Sequence, residues 1–124
     1  VQQETGAGLI FISHDLWAVR ELCQKTAVMY FGQFVETGDT STLFRQPAHP
    51  YTKALMEAAL IPDPDAPDPK PLPGELPDIA APPKGCPFHP RCPRAERICQ
   101  QECPELRPYG AGNRQVACFF PSEQ

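Results

Sequence analysis

Nine of the chain's seventeen prolines fall between Ile61 and Pro83, and this run constrains everything on either side of it. Proline fixes φ, lacks an N–H and pushes the preceding residue out of the helical region. Alternated with Asp and Ala, as in Pro62-Asp63-Pro64-Asp65-Ala66-Pro67, it forbids helix and sheet alike. The segment is expected to be a semi-rigid, polyproline-like spacer of roughly 3 Å per residue where extended. Pro73-Gly74-Glu75-Leu76-Pro77 within it can dock locally. The 124 residues therefore divide into a foldable part (1–60), a Pro/Asp-rich linker (61–83) and a cysteine-rich tail (84–124). Each part is small, and small units bury a low fraction of their surface. The chain opens on Val1 and enters an apolar run within a few residues. This reads as a fragment whose preceding portion supplies most of a core.

In the first part, Leu9-Ile10-Phe11-Ile12 is a continuous apolar run that stops at Ser13-His14-Asp15. Such a run suits a strand covered on both faces, as in a parallel sheet flanked by helices. Ligands of such sheets bind beyond the carboxyl ends of the strands, which is where His14 sits. Asp15 is placed to cap a helix carrying Leu16, Val19 and Cys23 on its inner face. Residues 26–31 and 34–37 read as a β-hairpin about Gly32-Gln33, with Glu36 alternating outward on an edge. Thr40 then reads as the cap of a short helix ended by Pro47. His49-Pro50-Tyr51-Thr52 opens another, with proline at the first helical position. Tyr51, Leu55, Ala58 and Ala59 form its expected apolar stripe.

Net charge is −4, and the acids concentrate in the spacer, with five against one base. No basic surface argues for nucleic acid as a partner. No apolar run reaches the roughly 18–20 residues that span a bilayer. No charged-then-apolar export signal opens the chain. Six cysteines in such a chain favour metal or free thiols over disulfides.

Four of them, Cys86, Cys92, Cys99 and Cys118, surround one short helix expected over residues 93–101. The tail has few apolar residues, too few to hold some 35 residues without a cross-link. Thiolates bind soft metals and iron–sulfur clusters. The Cys86-x5-Cys92-x6-Cys99 spacing leaves zinc, a cluster and disulfides all open. Cys103 is the odd thiol of the tail, and Cys23 reads as a small apolar residue of its helix. His14 on pattern alone is a structural residue as readily as a phosphate ligand. Ser13, His14 and Asp15 do not form a catalytic triad, because strand neighbours point to opposite faces.

The ordered motifs resemble one family. Leu9-Ile10-Phe11-Ile12-Ser13-His14-Asp15-Leu16, then Val28-Met29-Tyr30-x-Gly32-x-x-Val35-Glu36-x-Gly38, resemble the end of an ABC transporter nucleotide-binding domain. His49-Pro50-Tyr51-Thr52, Gly85-Cys86-Pro87-Phe88-His89-Pro90-Arg91-Cys92 and Val116-Ala117-Cys118 narrow this to the ATP-binding subunits of dipeptide and oligopeptide importers. The resemblance implies an α/β fold: the C-terminal part of an ABC nucleotide-binding domain (strand, helix, hairpin, two helices), a Pro-rich linker and a small irregular cysteine-rich tail. It implies ATP and Mg²⁺ as cofactors of the full-length protein, with His14 as the switch histidine at the ATP γ-phosphate. It implies a [4Fe–4S] cluster on Cys86, Cys92, Cys99 and Cys118, with zinc as the alternative. Partners would be transmembrane permease subunits, a second ATP-binding subunit and, indirectly, a solute-binding protein. The location would be peripheral, on the cytoplasmic face of the inner membrane. No Gly-x4-Gly-Lys-Ser/Thr phosphate loop occurs in these residues, so the chain alone is expected to be inactive. The rival reading is a stand-alone metal-binding interaction module.

Overall fold

The structure is a computed structural model that describes residues 2–59, 65, 72 and 74–122. Most of the expected polyproline spacer lies outside the described residues. After a single turn, α1 (Gln2–Thr5), helix α2 (Leu16–Leu22) starts where Asp15 Oδ1 accepts the N–H groups of Trp17 and Ala18 at 3.1 and 3.2 Å. This is the cap expected of Asp15. Val19 on its inner face is buried, and the helix rests on the two helices that follow the hairpin.

Strands β1 (Lys25–Tyr30) and β2 (Gln33–Asp39) form the expected antiparallel hairpin. Its two-residue turn is Phe31-Gly32 rather than Gly32-Gln33. Both residues take positive φ, 52° and 75°, as a type I′ turn demands. Helices α3 (Thr40–Arg45) and α4 (Pro50–Ala59) follow. Asp39 precedes α3 without a side-chain cap bond, and the Thr40 hydroxyl instead meets that of Thr26 at 2.8 Å. In α4 the buried side is Pro50, Thr52 and Met56, with Tyr51 and Leu55 half-buried beside it and Ala58 exposed. The stripe is rotated from the expected one because α4 packs on both α2 and β2.

The tail holds one 3₁₀ turn (His89–Arg91), α5 (Arg97–Gln101) and two short strands, β3 (Arg107–Pro108) and β4 (Gln115–Val116). Strand β4 pairs antiparallel with β2, with Glu36 opposite Val116, so the sheet runs β1-β2-β4-β3. The tail thereby covers the edge of the hairpin. Tyr30, Val35, Leu43, Phe88 and the buried Cys86 and Cys99 share one core, drawn from both ends of the chain. Phe88 sits edge-on to Tyr30, with ring centroids 5.2 Å apart and planes at 81°, a favourable aromatic arrangement. Leu72 also packs on this core, and Gly74 lies close to Pro90 and Arg91, so the end of the proline-rich segment docks locally.

Two expectations are corrected. Residues 9–12 are not a buried strand: they take no regular structure, and Ile10 and Ile12 are 89% and 94% exposed. A strand exists only through its ladder, and among the described residues no segment pairs with this one. Glu36 is not an outward edge residue. It is wholly buried, because the Ala48-His49 backbone ahead of α4 and the Arg114 side chain close over its carboxylate.

The buried carboxylate is satisfied by elements far apart in sequence. Glu36 accepts the N–H of Ala48 (3.1 Å) and of His49 (2.9 Å), and the Nε and Nη2 of Arg114 (3.1 and 2.8 Å). Arg114, equally buried, also donates to the Gln46 carbonyl. Removing one partner of a buried pair strands the other charge. Glu36→Ala should therefore lower the unfolding free energy by about 3–5 kcal/mol in chemical denaturation. A loss below about 1 kcal/mol, the value of an exposed pair, would contradict this.

Candidate functional site

Local backbone devices bring four thiols to one pocket. Gly85 has φ 75°, and a Cβ there would run into the backbone of Cys99 and Gln100, 2.7 Å from the Gln100 carbonyl carbon. Only glycine fits this approach. It lets the Cys86 N–H donate to the Cys99 carbonyl at 2.8 Å, joining the two walls. The Cys86 carbonyl accepts the His89 N–H, which starts the 3₁₀ turn, and the His89 carbonyl accepts the N–H of Cys92 at its end. Cys118 arrives from the opposite side. It follows β4, whose register is continued by Ala117 N–H donating to the Val35 carbonyl at 2.8 Å. Cys86, Cys92, Cys99 and Cys118 all line this pocket, together with His49 and Phe88. All six cysteines of the chain are free.

Burial pushes the Cys118 thiol up to about 11 and raises those of Cys86 and Cys92. Opposing it, a nearby backbone N–H favours the thiolate at each: that of Phe88 for Cys86, of Arg94 for Cys92 and of Phe120 for Cys118. Such donors stabilise an anionic sulfur. The neighbouring thiols raise one another, as like charges in one apolar space must.

The metal group expected on Cys86, Cys92, Cys99 and Cys118, a cluster or zinc, finds no support in their arrangement. Among the described residues, no group of three or more His, Cys, Asp or Glu stands close enough to hold one metal ion. The four thiols come from separate walls of the pocket. Cys103 lies outside the set, exposed, with its Sγ donating to Gln33 Oε1 at 3.5 Å. Cys23 is half-buried at the end of α2.

His14 belongs to a different region. It is exposed, between Ser13, whose Oγ accepts the Asp15 N–H at 2.9 Å, and the cap of α2. The structure does not bring it to the thiols.

Sequence reasoning missed a second histidine. His49, expected to open a helix and part of the family-like motif, is 1% exposed and lines the thiol pocket. Its Nδ1 accepts the Tyr51 N–H at 3.0 Å, so its side chain caps α4. The ring proton is therefore on Nε2, and that buried donor has no partner. The Ala117 carbonyl lies near enough to favour the protonated ring, but not in hydrogen-bonding geometry. Burial prevails and lowers the pKa to about 4. The visible signal was a histidine directly before a proline at a helix start. Glu36 and Arg114 were missed for want of any local signal.

Residues 35–99 match the family described as "Oligopeptide/dipeptide transporter, C-terminal region". The chain belongs to this family. A probable peptide ABC transporter ATP-binding protein of Sinorhizobium fredii is 52% identical over 95% of the chain and 33% of its own length. A di/tripeptide transport ATP-binding protein of Pseudomonas aeruginosa is 45% identical over 99% of the chain and 38% of its own. An oligopeptide transport ATP-binding protein of Salmonella typhimurium is 46% identical over 96% and 36%. The chain thus spans about a third of the length of these relatives. His14 and Cys118 fall outside the residues matched by the family.

Because the folded pKa of His49 is depressed, the unfolded chain binds more protons between pH 6.5 and about 4. Stability is then present above pH 6.5 and is lost as pH falls toward 4. In the metal-free protein, the drop in thermal midpoint across this window should shrink in His49→Gln. Equal drops in the two proteins would show that the ring does not carry this dependence.

Proposed function

We propose that this chain is the C-terminal portion of an ATP-hydrolysing subunit that energises import of peptides or related small solutes through an inner-membrane ABC permease. The observation that carries the reading is identity of 45–52% along 95–99% of the chain to proteins named as peptide-transport ATP-binding subunits. Residues 1–60 are the end of the ATP-binding cassette, 61–83 a linker and 84–124 the cysteine-rich C-terminal module. The full-length protein uses ATP and Mg²⁺. It works at the cytoplasmic face with permease subunits and a second ATP-binding subunit, fed indirectly by a solute-binding protein. Among the described residues, no helix is long and apolar enough to cross a membrane.

His14 is the residue of this chain that meets the ATP γ-phosphate. A neutral imidazole there donates one hydrogen bond to a reaction driven mainly by positioning and electrostatics. Its exposure at the head of α2 leaves it accessible to a nucleotide. The phosphate loop, Mg²⁺-binding acids and signature motif of such a subunit are not among these residues, so the chain alone does not turn over ATP. In the full-length subunit, His14→Ala should cut ATP turnover by about a hundredfold, the usual effect of losing one transition-state donor, while ATP still binds. Turnover at the wild-type rate would make His14 structural.

Cys86, Cys92, Cys99 and Cys118 hold a [4Fe–4S] cluster in this reading. What supports this reading is that the four thiols line one apolar pocket. Bound, the cluster would cross-link the tail and carry an electron. Anaerobic reconstitution with iron and sulfide should give a brown protein whose absorbance bleaches on reduction. A colourless protein with stoichiometric zinc would reject the cluster.

A further inference from the structure

Cys86 and Cys99 are joined through their main chains. Gly85 takes φ 75°, and a Cβ there would run into the Cys99 carbonyl, so only glycine lets the two segments approach this closely. The Cys86 N–H then donates to the Cys99 carbonyl at 2.8 Å. Among the described residues, no other two cysteines share a main-chain hydrogen bond. Cys92 is linked to Cys86 only by way of His89, and Cys118 follows Ala117, which is bonded to Val35 of the hairpin.

This bond limits how far apart the two residues can stand. Standard covalent geometry places a Cα about 1.5 Å from its own nitrogen and about 2.4 Å from its own carbonyl oxygen. Laid end to end with the 2.8 Å hydrogen bond, these lengths allow at most about 6.7 Å between the two Cα atoms. Disulfide-bonded cysteines usually have Cα atoms about 4.4–6.8 Å apart, so the backbone already stands within bridging range. The side chains also head for the same place. Both line the thiol pocket, and both are buried in the core that holds Tyr30, Val35 and Phe88. Of the thiols around Cys86, that of Cys99 acts on it most strongly. The free space of the pocket is about 10 Å³, room for about one water. Bonding two of the sulfurs that line it needs no further room.

We propose that Cys86 and Cys99 are a redox pair: in the metal-free chain, hydrogen peroxide converts them to a reversible disulfide that ties the Gly85 turn to α5. One thiol yields its proton and its sulfur attacks a peroxide oxygen. The O–O bond breaks, leaving a sulfenic acid and water. The second thiol yields its proton and attacks that sulfur. The S–O bond breaks, the S–S bond forms, and the departing hydroxide takes up the proton as a second water. The two thiols lose two electrons and the peroxide gains them. The new bond closes the loop 87–98, which removes freedom from the unfolded chain and stabilises the tail. It also uses up two of the four thiols, so the disulfide and a thiolate-bound group exclude each other. The pairing does not rest on the cluster reading. Where the surroundings keep thiols reduced, such a bond is transient and reports oxidising conditions.

Connectivity tests this directly. The full chain is prepared reduced and metal-free under a chelator, treated with hydrogen peroxide and capped with an alkylating reagent. The monomer band of a non-reducing gel is then mapped by peptide mass spectrometry without reductant. The expected product is a cross-linked pair of peptides carrying Cys86 and Cys99, two hydrogens lighter than the separate peptides. It should account for most of both residues and disappear with dithiothreitol. Cys92→Ser and Cys118→Ser should each leave it intact, and Cys99→Ser should return Cys86 to the alkylated fraction. Oxidation should raise the thermal midpoint of the wild type but not that of Cys99→Ser. Cys86 joined mainly to Cys92 or Cys118 overturns the pairing, as does recovery of Cys86 and Cys99 alkylated or as sulfinic acids. An equal yield of the cross-link in denaturant overturns it too, because the fold would then not select the pair.

Discussion

The carboxylate of Glu36 is the point on which this structure depends. A buried charge is tolerable only when it is paired and its lone pairs are filled. Here four N–H groups fill them: two backbone amides at the head of α4 and two from the Arg114 guanidinium. One side chain on β2 thus sets the position of the helix that carries His49 and of the strand that delivers Cys118. Each donor is orphaned without it. The first amides of α4 need an acceptor because a helix start leaves its N–H groups unpaired. Arg114, 3% exposed, has no water to fall back on.

The thiol pocket follows from that anchorage. One wall is local to the tail, where Gly85 lets Cys86 reach Cys99 and a 3₁₀ turn leads to Cys92. The other wall is not local. Cys118 is placed by the pairing of β4 with β2, and His49 by the carboxylate. The C-terminal end returns to the same spot, where the Ser122 N–H donates to the Ala48 carbonyl at 2.8 Å. The pocket is therefore shared between the hairpin-and-helix part of the chain and its cysteine-rich tail.

What could be read from the sequence was what nearest neighbours decide. Asp15 caps α2, Gly32 sits in a hairpin turn and Pro50 opens α4, because each effect is settled within a few residues. Alternation places Glu36 outside, and it is inside because Arg114, some eighty residues away, and the backbone ahead of α4 enclose its carboxylate. The apolar run at residues 9–12 carries the composition of a covered strand, but a ladder needs a partner and none of the described residues provides one. The four tail cysteines were visible as a set. That they line a space without closing on one ion was not, since it depends on which walls they stand on. The burial of His49 in the thiol pocket was hidden for a related reason. A histidine before a proline announces a helix cap, while the direction of its second nitrogen is decided by the tail.

Hairpin and tail share one core and so should behave as one cooperative unit. Native-state hydrogen exchange on the full-length protein tests it most directly. The tail amides of Ala117, bonded to Val35, and of Cys86, bonded to Cys99, report on the two walls of the pocket. They should exchange through the same opening free energy as the amides of β2, as members of one cooperative unit do. Tail amides that exchange orders of magnitude faster, while β2 stays protected, would contradict it.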